Sequence, residues 1–191
     1  MREYLLCLAA AAAVTYLLTP LARTWALRFG ALAEVRDRDV HSDVTPRWGG
    51  LAMLGGLTVA VLLANHLPLM STIFSDKRQI TALATAALII VVLGVIDDKF
   101  GLDAPTKFVG QILAAGVMSL QGVSIAWLPI NGTTILDPVL SMAVTVFIVV
   151  LSINAVNMVD GLDGLAASIV GVGATAFFTY TYFLSVANGY Q

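Results

Sequence analysis

The stretch of sequence that decides the fold is residues 80–98, ITALATAALIIVVLGVIDD. Its part from Ile80 to Ile96 contains no charged side chain, and it ends directly in two carboxylates, Asp97 and Asp98. An α-helix needs about 20 mostly apolar residues to cross a hydrocarbon core roughly 30 Å thick. The stretch therefore predicts a membrane-spanning helix with an acidic pair at one end.

The whole chain has the composition of a membrane protein. Of its 191 residues, 59% are hydrophobic and only 12% are charged, with a mean hydropathy of +0.90, whereas soluble domains carry about 25% charged residues. A net charge of −2 and a single cysteine exclude a nucleic-acid-binding module and a disulfide-linked scaffold. The sequence predicts one integral membrane domain over residues 1–191, an all-α polytopic helical bundle with six spans at 4–22, 49–70, 80–96, 108–120, 138–156 and 165–184.

The orientation follows from the short loops, since Lys and Arg collect on the cytoplasmic side. With the amino terminus outside, the inner loops 23–48, 97–107 and 157–164 hold seven of the ten Lys and Arg residues. They also hold nine of the twelve acids, although the positive-inside rule takes little account of acids. The acids therefore predict a shared polar site that faces the cytoplasm.

Asp97 and Asp98 are the first candidates for chemistry. Adjacent residues of a helix point about 100° apart, so we expect both carboxylates to reach one site only at a frayed helix end or in a loop. Two close carboxylates repel, which suits a base or a cation-binding pair. The alternative is that they cap a helix at the water interface together with Lys99.

Segment 154–164 carries a more specific pattern. Oxygen-bearing side chains recur every third residue, which places neighbours about 60° apart on one side of a helix. Such hard oxygen ligands suit Mg²⁺, and Gly161 and Gly164 would let the backbone turn. The alternative is a helix end with turn residues, but an amide inside an apolar run, as at position 154, needs a partner. The recurring residues are Asn154, Asn157, Asp160 and Asp163.

Basic residues of the inner loops complete the candidate site. Lys107 opens the fourth predicted span, where its ammonium group could hold a phosphate or could serve only the membrane topology. Arg47 lies in the turn of residues 46–50 and could also reach a phosphate. His41 and His66 lie on opposite predicted sides of the membrane, so no histidine metal pair is predicted.

Taken together, the segments resemble the polyprenyl-phosphate N-acetylhexosamine-1-phosphate transferases, membrane enzymes that start cell-envelope glycans. The chain looks closest to their actinobacterial branch, which uses decaprenyl or undecaprenyl phosphate and GlcNAc. The block of His41 with Pro46–Gly50 favours this branch. The phospho-MurNAc-pentapeptide enzymes, which usually lack that block, are the alternative within the family. Trp48 stands where the family more often has Met. The matching blocks are His41 with Pro46–Gly50, Gly94 through Lys107 to Gln111, and Asn154 through Leu165.

The resemblance implies transfer of GlcNAc-1-phosphate from UDP-GlcNAc to a polyprenyl phosphate with release of UMP. It implies an Mg²⁺ cofactor, with Mn²⁺ as an alternative, and by analogy a homodimer. The location implied is the bacterial inner membrane, with the site on the cytoplasmic face. No nucleic-acid partner is expected.

The resemblance also assigns roles to single residues of this chain. Asp97 matches the base that deprotonates the lipid phosphate, and Asp98 positions that phosphate or the metal. The remaining assignments are Lys107 for the phosphates, Asn157 as a metal ligand, Asp160 for the nucleotide sugar, Asp163 for uracil, and Asn154, Arg47 and His41 as further substrate-binding residues.

Two features of the family do not occur in the sequence. The family has a further Asp in a Gly-Asp-x-Gly-Ser block and a later His-rich loop, within ten or eleven spans. We therefore expect the chain to be the amino-terminal part of a transferase, and these 191 residues alone to lack transferase activity. An ion-coupled transporter and a non-catalytic membrane scaffold are the alternatives from other classes; the first predicts mid-span charges and repeated halves.

Overall fold

The computed structural model describes residues 2–32, 46–68, 70, 77–130, 132–160 and 164–188. Over these residues the chain forms helices and one small antiparallel sheet. In chain order they are α1 (Arg2–Phe29), α2 (Gly49–His66), α3 (Lys77–Phe100), α4 (Ala104–Leu120), β1 (Trp127–Leu128), β2 (Thr134–Ile135), α5 (Pro138–Val159) and α6 (Leu165–Ala187).

The helices confirm the predicted polytopic membrane bundle. Five of them, α1, α2, α3, α5 and α6, are long and apolar enough to cross a membrane. Helix α4 has 17 residues and extends about 26 Å, close to the 18 residues of α2 and at the short end of the range for a spanning helix. A helix lies at each of the six predicted spans.

Several helices extend beyond the spans predicted from apolar residues alone. Helix α1 continues to Phe29 through Arg23 and Arg28, and α3 begins at Lys77 and includes the acidic pair. Long basic side chains can lie along a helix while their charged ends reach water. A backbone that leaves the hydrocarbon region can therefore stay helical, and the polar residues predicted to lie in loops become helix ends.

Small residues make the contacts between helices. Among the described residues no large side chain is fully buried, and the large apolar side chains point outward, as lipid contact requires. Association of helices in lipid depends on close packing of small residues rather than on the hydrophobic effect. The buried positions are Ala22, Ala26, Ala31, Ala52, Gly56, Ala64, Met70, Ala82, Ala114, Ala115, Ser119, Ser141, Thr145 and Val150.

The two ends of the connection between α1 and α2 are hydrogen-bonded to each other. Leu32 forms an isolated antiparallel bridge with Pro46, and the Arg47 N–H donates to the Ala31 carbonyl at 3.0 Å. The predicted turn is present, but the glycines at 49 and 50 are already helical. The left-handed residue is Trp48, with φ 74°.

A β-hairpin between α4 and α5 was not predicted. Trp127 pairs with Ile135 and Leu128 pairs with Thr134. The sequence signal was Asn-Gly at 131–132 between apolar runs, a common hairpin turn. Helix α4 runs away from Lys107 and α5 returns, so the hairpin lies at the end of the bundle opposite Asp97 and Asp98.

Candidate functional site

The acidic pair lies in the last turn of α3, directly before the connection to α4. The helix continues regularly to Phe100, and Gly101, with φ 67°, donates its N–H to the Asp97 carbonyl at 2.8 Å. The end of α3 is therefore an intact helix and not a frayed end or a loop. Because the helix is intact, the two neighbouring carboxylates point in different directions.

Asp97 faces the start of α4. Its Oδ1 accepts from the Lys107 ammonium at 2.8 Å and from the backbone N–H of Leu102 at 3.0 Å. The Asp97 side chain is 23% exposed and that of Lys107 is 40% exposed. One carboxylate oxygen therefore links the end of α3 to the first turns of α4.

Asp98 faces the connection between α1 and α2. Its Oδ1 lies 3.4 Å from Nη1 of Arg47, and the backbone N–H of Trp48 is also within hydrogen-bonding reach of the carboxylate. The two side chains are 27% and 34% exposed. Each acid of the pair thus has its own cation, supplied by a different part of the chain.

Trp48, the residue after Arg47, has a left-handed backbone conformation with φ 74°. A left-handed conformation is uncommon for a residue other than glycine, and such strain concentrates at functional sites. The Trp48 ring lies 5.8 Å from the ring of Phe29, centroid to centroid. Its buried Nε1 has no hydrogen-bond partner among the described residues. The turn before α2 was predicted from the sequence, but its left-handed conformation at Trp48 was not.

Asn154 has the partner that its position inside an apolar run required. Its Nδ2 donates to Oε1 of Gln111 at 2.6 Å and to the Val150 carbonyl at 2.8 Å. Gln111 follows Lys107 by one helical turn of α4, so the pair joins α5 to the face of α4 that carries Lys107. Gln111 belongs to a block that resembles the family, but its sequence context predicted no role for it; a second polar residue in an apolar run was the available signal.

The rest of the 154–163 pattern is only partly helical. Helix α5 ends at Val159, and Asp160 leaves the helix with φ −76° and ψ 57°, so the expectation of four oxygen ligands on one helix was wrong. Asp favours helix ends over interiors because its side chain competes for backbone hydrogen bonds. Gly164 makes the expected turn, with φ 75°, at the start of α6. Asp163 and His41 lie outside the described residues.

Asn157 and Asp160 are exposed at the end of α5. Within the described ranges no hydrogen bond or ion pair joins them to Asp97 or Asp98. In the same ranges no group of three or more His, Cys, Asp or Glu residues could hold a metal ion. Mg²⁺ needs fewer, because it commonly takes one or two carboxylates and completes its shell with water and substrate phosphate. The acidic pair fits that requirement.

The arrangement can bind ions of both signs. Two carboxylates and two permanent cations lie within direct contact, and all four side chains are partly exposed. Ion pairs with this exposure contribute only about 0–1 kcal/mol each. Phosphate groups could therefore displace the carboxylates from Lys107 and Arg47 at little cost, and the released carboxylates could take up a proton or a divalent cation.

The sequence comparisons agree with this chemistry. A sequence profile described as glycosyl transferase family 4 matches residues 80–190, which is more than half of the chain. The chain belongs to glycosyl transferase family 4. The matched region of this family 4 chain begins in α3 and therefore includes the acidic pair, Lys107 and the Asn154–Gln111 contact.

Individual relatives of the family 4 chain act on polyprenyl phosphates according to two of their names. A decaprenyl-phosphate N-acetylglucosaminephosphotransferase of Mycolicibacterium smegmatis is 46% identical over 185 residues, covering 95% of this chain and 46% of that protein. A "probable undecaprenyl-phosphate N-acetylglucosaminyl 1-phosphate transferase" of Bacillus subtilis is 35% identical over 84% of this chain and 44% of its own length. A phospho-N-acetylmuramoyl-pentapeptide-transferase of Desulforudis audaxviator is 32% identical over 79% of this chain and 52% of its own length.

The chain spans about half the length of the curated relatives it matches. No solved structure matches it.

Proposed function

We propose that this chain forms part of an enzyme that transfers GlcNAc-1-phosphate from UDP-GlcNAc to a polyprenyl phosphate and releases UMP. The observation that carries the proposal is the acidic pair of α3, in which Asp97 and Asp98 each contact a separate cation. The names of the relatives at 46% and 35% identity support the choice of the transferred sugar phosphate and of the polyprenyl phosphate acceptor.

The reaction joins two phosphate groups that repel each other. An oxygen of the polyprenyl phosphate attacks the phosphorus bonded to GlcNAc, and the bond from that phosphorus to the UMP oxygen breaks. Fixed cations stabilise the charge that develops in such a transition state. Lys107 and Arg47 are the candidates, because each is held at the site by a carboxylate that an incoming phosphate can replace.

Asp97 is the proposed base. Lys107 and the Leu102 N–H both contact its Oδ1. When Lys107 moves to an incoming phosphate, the Asp97 carboxylate is left free to act as the base. The proton taken is the one on the polyprenyl phosphate, which then attacks as the dianion. Asp97 and Lys107 therefore exchange partners as substrate binds.

The proposed cofactor is Mg²⁺, with Mn²⁺ as an alternative. Asp98 and Asn157 would hold it, and it would supply charge neutralisation between the reacting phosphates. Asp160 is the proposed contact for the nucleotide sugar and Asp163 for its uracil, and Asn154 and His41 are proposed as further substrate-binding residues. These assignments rest on the resemblance of segment 154–165 and of the block at His41.

The proposed location is the bacterial inner membrane, with the acidic pair facing the cytoplasm, where nucleotide sugars are soluble. The distribution of Lys and Arg supports this orientation. A homodimer is proposed by analogy with the family. That these 191 residues alone lack transferase activity also stays a prediction.

A chimera tests the substrate choice. The chain replaces the matched 46% of the Mycolicibacterium smegmatis relative, and membranes with the chimera receive polyprenyl phosphate, Mg²⁺ and either UDP-GlcNAc or UDP-MurNAc-pentapeptide. We expect UMP release with UDP-GlcNAc and a Mg²⁺ requirement that EDTA reveals. Release with UDP-MurNAc-pentapeptide alone would contradict the proposal and favour the alternative at 32% identity.

Three variants of the chimera test the site. Asp97→Asn and Asp160→Asn should each abolish UMP release. Asp103→Asn is the matched control, because this acid lies in the same α3–α4 connection but makes no side-chain cap hydrogen bond. Normal activity of both Asp97→Asn and Asp160→Asn would refute the assignment.

A further inference from the structure

Gln111 and Asn154 form a polar contact between α4 and α5, and a neighbouring carbonyl fixes its direction. A carbonyl oxygen only accepts hydrogen bonds, so the Asn154 atom that lies 2.8 Å from the Val150 carbonyl is the amide nitrogen Nδ2. The same Nδ2 donates to Gln111 at 2.6 Å, which identifies the facing Gln111 atom as the oxygen Oε1. The contacts therefore determine which end of each amide faces its neighbour.

These two hydrogen bonds leave the oxygen of Asn154 without a partner. Its Nδ2 carries two N–H groups, and both are used, whereas no residue in the described part of the chain bonds to its Oδ1. The Asn154 side chain is exposed and Gln111 is partly buried, and each interrupts an apolar run. A free polar atom in such surroundings costs free energy. The Oδ1 atom of Asn154 therefore requires a polar partner from outside the described residues.

The amide pair lies beside the proposed reaction site. Gln111 follows Lys107 by about one turn of α4, and Asn154 precedes Asn157 by about one turn of α5, so each pair shares one face of its helix. Lys107 contacts Asp97, and Asn157 is the proposed metal ligand. Asn154 therefore lies about one helical turn from the residues proposed to hold the metal and the phosphates.

The bond to Gln111 matters because it prevents rotation of the Asn154 amide. The bond to Val150 lies within α5 and holds one N–H group, so by itself it permits the side chain to pivot around that point. The bond to Gln111 comes from another helix and holds the other N–H group. A binding group that is fixed in advance loses less conformational freedom when its ligand binds. Gln111 therefore prepares Asn154 for binding without having to touch the ligand itself.

We propose that Gln111 is a positioning residue, which turns the Asn154 amide so that its oxygen Oδ1, and not its NH₂ group, faces the nucleotide sugar. An amide oxygen accepts hydrogen bonds, and the oxygens of an ionised phosphate also accept them. Asn154 therefore binds a hydroxyl or N–H group of the nucleotide sugar and not a phosphate. The inference rests on the proposed function, in which Asn154 is a substrate-binding residue.

Steady-state kinetics of the chimera test the positioning role. Gln111→Met removes the hydrogen-bond acceptor and keeps an unbranched side chain. We expect the KM for UDP-GlcNAc to rise about 3- to 10-fold with kcat nearly unchanged, as for the loss of one hydrogen bond that is made equally to bound substrate and transition state. The KM for the polyprenyl phosphate should stay the same. Because KM does not depend on the amount of inserted protein, partial loss of folded chimera does not affect this measurement.

Gln121→Met is the matched control. Gln121 also joins α4 to another helix by one hydrogen bond, from its Nε2 to Oγ1 of Thr85 in α3 at 3.1 Å, but it lies at the opposite end of α4. If loosening of α4 were the cause of a raised KM, both substitutions would raise it. We expect Gln121→Met to leave the KM for UDP-GlcNAc unchanged.

A double-mutant cycle tests whether Gln111 acts through Asn154. Asn154→Ala alone should raise the KM for UDP-GlcNAc at least as much as Gln111→Met does. Adding Gln111→Met to Asn154→Ala should then change the KM by less than about twofold, because the side chain to be positioned is absent.

Three results with an active parent chimera would overturn the inference. An unchanged KM in Gln111→Met, or the same rise with and without the Asn154 side chain, would mean that the contact only packs α4 against α5. A higher Mg²⁺ requirement at unchanged KM would assign the Asn154 oxygen to the metal. A parent chimera that releases no UMP from UDP-GlcNAc would instead contradict the proposed function itself, and the inference with it.

Discussion

The ion pair between Asp97 and Lys107 has one of two roles. It either holds α3 against α4 or takes part in the proposed reaction. Their 2.8 Å ion pair joins α3 to α4, but the Lys107 side chain is 40% exposed. At this exposure the pair contributes about 0–1 kcal/mol to folding. The Asn154–Gln111 hydrogen bond, which lies one helical turn further along α4 and inside the apolar run of α5, is a better candidate for holding α4 in place. We therefore interpret the ion pair as part of the proposed reaction site.

Exchanging the charges of Asp97 and Lys107 distinguishes a role in helix packing from a role in the reaction. Asp97→Lys with Lys107→Asp keeps the attraction, so the double variant should fold and insert like the wild-type chimera. UMP release should fall by roughly 100-fold or more, which is the usual cost of removing one preorganised electrostatic contact to a transition state. The measurement is UMP release at saturating UDP-GlcNAc, normalised to inserted protein.

Lys99→Met is the matched control for the charge exchange. Lys99 is exposed at the same end of α3 and lies 5.3 Å from the Phe100 ring, its one described contact. Its removal should leave UMP release unchanged. A charge-exchanged variant with nearly normal activity would mean that the pair is only structural.

At the scale of elements, α1 and α2 approach each other closely at a glycine of α2. A Cβ atom on Gly56 would clash with Oγ1 of Thr15 and would lie 2.6 Å from the Ala11 carbonyl. The backbone of α1 cannot move away without separating the two helices. This contact joins the helix that precedes Arg47 to the one that follows it.

Gly56→Ala should therefore lower the free energy of unfolding by about 1–3 kcal/mol, the usual cost of overpacking. Gly116→Ala is the control, because a Cβ at that position meets nothing within 4 Å. The measurement is unfolding in mixed micelles with increasing denaturing detergent. Equal stability of the two variants would show that α1 and α2 are less closely packed than the structure has them.

The elements also explain what the sequence could predict. Apolar runs located the helices because burial in lipid depends on local composition. Their ends were predicted less well: α3 continues through Asp97 and Asp98, and α5 stops at Val159 inside the Asn–Asp pattern. Whether a polar residue continues or ends a helix depends on its tertiary partners, such as Lys107 for Asp97. Local composition does not reveal these partners. Lys107, the partner of Asp97, belongs to the next helix, and Arg47, the partner of Asp98, precedes α2 and lies 51 residues away in the sequence.

The candidate site could be predicted as a set of residues but not as a set of contacts. Composition and the family resemblance pointed to Asp97, Asp98, Lys107 and Arg47. The division of the acids between two cations follows from the 100° angle between neighbours in an intact helix, and the sequence alone left open whether the helix is intact at these residues. The hairpin was missed because its strands have two residues each and lack the alternation of longer strands.

At the scale of the whole molecule, the positions of the site residues account for the uneven distribution of charge along the chain. The last 84 residues contain no Lys or Arg. The cations of the candidate site come from the α1–α2 connection and from α4, whereas Asn157 and Asp160 supply oxygen atoms at the end of α5. Connectivity places all of these positions at one end of the bundle, because α3 and α5 end there and α2 and α4 begin there. The orientation of that end is therefore decisive for the proposed function.

Thiol labelling tests the orientation. In a Cys7→Ala background, Asp103→Cys marks the end with the acidic pair, and Asn188→Cys marks the opposite end, after α6. The excess of Lys and Arg at the first end predicts that it faces the cytoplasm. A membrane-impermeant maleimide added to intact cells should label position 188 and not 103, and inverted vesicles should give the opposite result. If intact cells instead labelled position 103, the acidic pair would face away from the cytoplasmic nucleotide sugars, and the proposed transfer from UDP-GlcNAc would be impossible at this site.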